Sequence, residues 1–355
     1  MEFGLQFFPD VSPAQRSGED YWADALALSQ LGEALGFTSI RTVEHYFRPY
    51  GGYSPNPLLF LTAAAMVTST ARLITGAVLP AFNHPLKLAG EIGMLDAISH
   101  GRLEVGFARA FLPHEFERFG VPPDESNARF EEGVEFVRRL LEEEHVSANG
   151  RFHQFQDVTS LPRPTQTPRP PFWLAALATP SSFERAGHLG YDVMAIPLAG
   201  GQMADLIGRY REARRQAGHA GPGRVMLAFH MLCTDTEEQE IAVARDPLNA
   251  YLTSLVDCAS GWLTGQTSAD YPNYDKIIAA LSKETFESQR KKGSAWIGTP
   301  DAIVQQITDY HQRVGGFEIA SMQVNFNVVK REDAEASLRL FAAQVLARFT
   351  CHENT

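Results

Sequence analysis

Short apolar stretches alternate with longer segments of helical period along most of the chain, the signature of a parallel sheet assembled from βαβ units. Phe3 to Phe8 is the first such stretch. In Tyr21 to Leu35, Leu28, Leu31 and Leu35 recur at three- and four-residue steps before Gly36 stops the helix. Further strands are expected at 38–43, 73–79, 103–108, 172–177, 192–196, 225–232 and 319–326, with helices at 57–68, 84–98, 124–144, 181–189, 202–217, 299–314 and 334–349. Phe130, Val134, Val137 and Leu141 form one stripe, so the helix at 124–144 is amphipathic. Five prolines between Pro162 and Pro171 exclude helix there, leaving 149–171 as a surface connection with a small β excursion at 152–158. From Asp235 to Trp296 the alternation lapses, interrupted by Gly261, Gly265, Pro272 and Gly293.

Eight strand–helix units are the number in a closed barrel, so the predicted fold is a (β/α)8 TIM barrel. The whole chain, 1–355, is then one domain with an insertion at about 235–296 after strand seven, on the face where lids are usually placed. An open doubly wound sheet would satisfy the same alternation, and length alone is equally compatible with two smaller domains.

Composition narrows the chemistry. A hydrophobic fraction of 44% supports a large core, and Lys+Arg 31 against Asp+Glu 42 gives a net charge of −11. That balance argues against a nucleic-acid groove or an anionic membrane surface and leaves small molecules as partners. Cys233, Cys258 and Cys351 are widely spaced and form no CxxC, as reduced thiols of a cytoplasmic protein would. No basic segment precedes an apolar stretch at the N-terminus, and Leu58 to Val67 is half the span of a membrane helix, so neither export nor membrane insertion is expected.

No GxGxxG follows a strand, and neither a GxxxxGK[ST] loop nor a GxSxG elbow occurs, so Rossmann nicotinamide binding, P-loop chemistry and α/β-hydrolase chemistry lose support. His114-Glu115-Phe116-Glu117-Arg118 begins like HExxH but lacks the second histidine, and no metal site is expected. In a barrel the polar residues at the C-terminal ends of strands face the site. Strand two ends in Glu44-His45, a carboxylate beside an imidazole fit for proton transfer near neutral pH. A hydrogen-bonded rim histidine would leave the same trace. Arg109 directly follows the fourth strand and suits a phosphate or carboxylate, or else a structural salt bridge. Ser181 and Ser182 open a helix after strand five, where hydroxyls and free N–H groups make either an anion site or an ordinary cap. Thr299-Pro300-Asp301 reads as a cap. His230 and Asn325 lie near the ends of strands seven and eight and are candidates for the pocket wall or satisfied rim residues.

Glu44-His45-Tyr46-Phe47, Leu79-Pro80 with His84-Pro85, Gly101-Arg102-Leu103-Glu104-Val105-Gly106-Phe107-Ala108-Arg109, Phe116-Glu117-Arg118-Phe119-Gly120 and the late Gly298-Thr299-Pro300 together resemble the bacterial luciferase-like flavin-dependent monooxygenases. The likeness runs from about residue 3 to 346. It implies a barrel that binds reduced FMN (FMNH2) and activates O2 as a flavin C4a-hydroperoxide to oxygenate a small, largely apolar substrate such as an aldehyde, ketone or natural-product intermediate. It also implies a separate NAD(P)H:flavin reductase, in keeping with the missing nicotinamide fingerprint, and association into homodimers. By the same resemblance His45 is the acid–base residue and Glu44 its neighbour near the isoalloxazine. Gly76 and Ala77 correspond to the backbone beside the ring. Ala108 stands where the luciferase α chain has cysteine, Arg109 matches the phosphate arginine, and Ala175, Ala176 and Ser181 match the strand-five backbone and phosphate hydroxyl. Arg129 lies two positions beyond the second phosphate arginine, Ala178 replaces a phosphate serine, and Tyr46 replaces the second histidine of the usual pair. The pocket rim is expected to include Phe8, Phe47, Phe82, Phe111 and Phe229, some of them ordinary core. A deazaflavin-dependent dehydrogenase and a non-catalytic flavin-binding protein are the alternatives on the same fold.

Overall fold

A computed structural model of the protein describes residues 1–198 and 200–350. In chain order the elements are β1 (Glu2–Phe7), α1 (Gly18–Ala34), β2 (Ser39–Thr42), α2 (Pro57–Val67), β3 (Arg72–Val78), α3 (Pro85–Ile98), β4 (Leu103–Phe107), α4 (Pro113–Phe119) and α5 (Ser126–Glu142). The hairpin β5 (Val146–Asn149) and β6 (Gln154–Val158) follows, then β7 (Phe172–Ala176), α6 (Pro180–Leu189), β8 (Asp192–Ala195), α7 (Gly200–Gln216) and β9 (Val225–Cys233). The last third holds α8 (Glu237–Ala259), α9 (Tyr274–Leu281), α10 (Phe286–Lys292), β10 (Ala295–Gly298), α11 (Pro300–Arg313), β11 (Ile319–Gln323) and α12 (Arg331–Phe341).

Strands β1, β2, β3, β4, β7, β8, β9 and β11 pair in parallel around a ring that closes where β9 meets both β8 and β11, and β11 meets β1. The protein is therefore a (β/α)8 TIM barrel, and the open sheet is excluded. The β excursion is the antiparallel β5–β6 hairpin. The segment without alternation contains more structure than its sequence shows. Its helix α8 runs for 23 residues through Pro247, and β10 pairs in parallel with the upper half of β9, Ala295 beside His230. Phe229, expected at the pocket rim, points instead into the layer between barrel and helices, stacked on Trp296 at 3.8 Å.

The lower barrel is solid. Ile74, Trp173, Met194, Met226 and Ile319, from five different strands, pack together with at most 1% exposure. Beneath them Glu104 accepts from Trp173 Nε1 at 2.6 Å and from both terminal nitrogens of Arg224 at 3.0 Å, and Arg224 Nε donates to Asp192 at 2.8 Å. Four bonds on one carboxylate–guanidinium cluster repay the burial of its charges. Arg102, another residue of the motif that includes Glu104, donates to the carbonyls of Ala65, Thr68, Ala71 and Ser99, satisfying backbone acceptors at the ends of α2 and α3. Among the described residues, no helix is long and apolar enough to cross a membrane.

Candidate active site

The mouth of the barrel is built at the C-terminal strand ends, and β2 supplies its most polar corner. Glu44 is 3% exposed and accepts from the Tyr46 hydroxyl at 2.5 Å, from Leu79 N–H at 3.0 Å and from Asn83 Nδ2 at 2.8 Å, which ties the end of β2 to the end of β3. Burial outweighs these three donors and pushes its carboxyl up to about 7, with the nearby Glu115 adding to the rise. The folded protein thus holds this proton more tightly than the unfolded chain. Its contribution to stability is complete below the usual carboxylate range and is lost as pH rises through about 7. Glu44→Gln should therefore gain thermal stability relative to wild type as the buffer moves from about pH 5 to about pH 8, a trend that melting curves would read directly. A pH-independent difference would show that Glu44 is ionised throughout.

His45 is oriented by a residue the sequence reading set aside. Its Nδ1 lies 3.1 Å from Glu115 Oε1, the same oxygen that accepts from Tyr46 N–H at 2.9 Å. Glu115 is fully buried at the start of α4, in the segment that begins like HExxH. A carboxylate oxygen there accepts a hydrogen bond from Nδ1–H and leaves Nε2 as the working nitrogen. The imidazole sits among Phe8, Tyr50 and Phe111, with ring centroids 5.5–5.9 Å away, so its surroundings exclude water. Of the other aromatic residues expected at the rim, Phe82 stacks on Phe119 at 4.5 Å, and Phe47 is 56% exposed outside the pocket.

On the opposite side, a small cavity of about 20 Å³ is lined by Arg109, Phe130, Leu174, Ala175, Ser182 and Arg185. Arg109 makes no ion pair among the described residues. Its Nη1 donates to the Asp270 carbonyl at 3.0 Å and its guanidinium lies over the Tyr271 ring at 5.0 Å. Arg185, one helical turn beyond Ser182 on α6, donates to Asn127 Oδ1 at 3.0 Å and pairs with Glu131 at 2.6 Å. The α6 cap, Thr179, makes no side-chain cap bond, and Pro180 follows it. Two guanidiniums and the Ser182 hydroxyl at the start of α6 line this one hollow, groups whose chemistry suits an anion.

The structure brings Arg109 and Ala175 to this cavity, with Ala108 and Ala176 half-buried beside them. Ser181 faces solvent, and Ser182 is the hydroxyl that lines the hollow. Arg129 is not brought there: it pairs with Glu125 at 2.8 Å and covers the Phe152 ring at 4.2 Å, while its neighbour Phe130 faces the cavity. Gly76 and Ala77 are buried in an irregular stretch of β3, and a side chain at Gly76 would collide with Arg41. Arg109, Ser182 and Arg185 around the hollow are the donors a phosphate group takes, so the residues present fit a phosphorylated cofactor. Ser182 and Arg185 share a face of the helix expected at 181–189, but nothing in the local pattern aims that face at the hollow.

Residues 1–315 match the profile of luciferase-like monooxygenases. The chain belongs to that family and is an oxidoreductase of the monooxygenase kind. It is 29% identical to the oxygenase component of flavin-dependent trigonelline monooxygenase from Acinetobacter baylyi, over 99% of this chain and 96% of that protein. It is 25% identical to 4-hydroxyprotoasukamycin monooxygenase of Streptomyces nodosus subsp. asukaensis, over 97% and 92% of the two chains. Among solved structures, monooxygenase RslO1 from Streptomyces bottropensis superposes with TM-score 0.87 at 39% identity, covering 98% of this chain and 100% of that one. The oxygenating constituent of 3,6-diketocamphane monooxygenase from Pseudomonas putida, solved with FMN, shares the fold at TM-score 0.81 and 20% identity, covering 98% of each chain.

Proposed function

We propose that this protein is the oxygenase of a two-component system, binding reduced FMN delivered by a separate NAD(P)H:flavin reductase and using O2 to place one oxygen atom in a largely apolar organic substrate. The observation that carries the reading is the anion hollow. In a chain of net charge −11, Arg109 is held at the barrel mouth with no carboxylate partner, which is the local positive anchor a phosphate needs. The description of the Acinetobacter baylyi relative as an oxygenase component supports the separate reductase. Arg109, Ser182 and Arg185 hold the phosphate, Gly76, Ala77, Ala108, Ala175 and Ala176 lie along the ring, and Glu44 and His45 face the reacting edge. Bound in reduced form, the flavin supplies the electrons that activate dioxygen. His45 Nε2 manages the proton that accompanies this chemistry, Glu115 fixes the imidazole, and the surrounding aromatic side chains keep water out.

The test is a single-turnover reaction with FMNH2, 18O2 and a panel of aldehydes, ketones and aromatic natural-product precursors, read by mass spectrometry. Incorporation of one labelled atom is expected. Product formation by hydride transfer from a reduced deazaflavin without oxygen would replace this reading with the dehydrogenase one. Oxidation of NAD(P)H by the purified chain alone, at the rate of product formation, would remove the reductase. A homodimer belongs to the same proposal, with Leu59 and Met66 on α2 and Met94 on α3 exposing 57–73% of their apolar surface; light scattering of the same sample at monomer mass would remove it.

A further inference from the structure

The barrel mouth is divided into two chemically unlike halves. On β3, β4 and β7 the strands carry the small residues Gly76, Gly106 and Ala175. Across the barrel, the register places Arg41, Gln6, Gln323 and His230 side by side on β2, β1, β11 and β9, one contiguous polar row over four neighbouring strands. Alternation along the strands points this row inward, in the same phase as the buried plug residues Ile319 and Met226 below it.

Arg41 is the unusual member. It is 8% exposed, and its contacts are all neutral: Nη1 donates to Gln6 Oε1, Nη2 donates to the Gly76 carbonyl at 2.9 Å, and Nε has no partner. Among the described residues it pairs with no carboxylate. Burial lowers its pKa to about 10, which leaves it charged at neutral pH. The far end of the row adds a second open hydrogen-bonding position. His230 Nε2 is buried without a partner, and burial drives its pKa down to about 3, so it stands there as a neutral donor or acceptor. Tyr251, whose ring lies 4.5 Å from that of His230, bonds through its hydroxyl to Tyr50 at 3.3 Å.

A buried guanidinium without an anion is expensive, and a neutral side chain of equal size would make the apo protein more stable. We propose that Arg41 and the polar row beside it form a recognition site for the anionic edge of a planar organic group, with Arg41 as the counter-charge and His230 completing the hydrogen bonds. A carboxylate or phenolate of the substrate has that chemistry, and so does the deprotonated ring of reduced flavin. The second source rests on the function proposed above; the first does not, because it is measured on flavin-free protein.

The experiment compares wild type with Arg41→Gln and Arg41→Lys by equilibrium titration in two arms. One arm uses benzoate against neutral benzamide on the flavin-free protein, and the other uses reduced against oxidised FMN without oxygen. Wild type is expected to prefer at least one anionic probe over its neutral counterpart by about tenfold or more, Arg41→Gln to abolish that preference, and Arg41→Lys to keep part of it. Loss confined to benzoate places the anion on the substrate; loss confined to reduced FMN places it on the ring. Absence of an anion preference in the wild type, which needs no variant to observe, overturns the proposal. So does Arg41→Gln with both preferences within twofold of wild type. A melting temperature for Arg41→Gln at or above that of wild type is expected, and a large fall would assign Arg41 to the framework.

Discussion

Replacing Arg109 by alanine is expected to weaken FMN binding by about 2–3 kcal/mol, or roughly 30- to 150-fold in Kd, the worth of a charge-assisted contact to phosphate. Riboflavin, which lacks the phosphate, should bind to wild type and variant alike. The pair of ligands matters because Arg109 also holds the insertion through the Asp270 carbonyl. If its role were only to fasten that segment, both ligands would weaken together. Arg109→Lys should fall between, since an ammonium keeps the charge but loses the planar fork. Fluorescence titration of the two flavins suffices, and equal losses for both would remove Arg109 from phosphate binding.

His45→Ala is expected to lower the rate of substrate oxygenation by about 100-fold, the lower end of what a placed acid–base group contributes, with little change in FMN affinity. Oxygen consumption should become uncoupled, with hydrogen peroxide released in place of oxygenated product. Glu115→Gln retains the shape of the partner and removes its charge, so a loss of about tenfold is expected, accompanied by a change in the imidazole 15N shifts that report which ring nitrogen carries the proton. A variant of His45 with full coupling would exclude it from the chemistry. Unchanged shifts in Glu115→Gln would reduce Glu115 to a framework residue.

The barrel was legible because its strands are short apolar runs separated by helices of clear period, and seven of the eight have only a few residues on which the phase can slip. Strand β10 escaped because Ala295, Trp296 and Ile297 are too few to show a period and belong to a segment otherwise marked by glycine. The motif around Arg102 and Arg109 carried the resemblance for mixed reasons. Arg102 and Glu104 stabilise the framework, Gly106 makes room for the Thr75 carbonyl and the Met194 side chain, and only Arg109 reaches the hollow. Where the expected residues and those lining the hollow differ, the difference is one of helical phase. One residue separates exposed Ser181 from Ser182, and one separates Arg129, committed to Glu125, from Phe130 at the cavity. Glu115 was visible only as half of a metal motif, because its partner His45 lies 70 residues away. Arg41 was hidden inside a strand that reads as β-branched, and its meaning depends on the absence of a carboxylate that no local pattern reveals.

The plug at the bottom of the barrel governs traffic as well as stability. Trp173 and its neighbours leave no passage downward, and the Glu104–Arg224 cluster lies beneath them. Every ligand must therefore come and go through one doorway. Whatever settles against Arg41 and whatever is held by Arg109 must therefore arrive from the same side of the barrel, and a bulky occupant of either place narrows the way to the other.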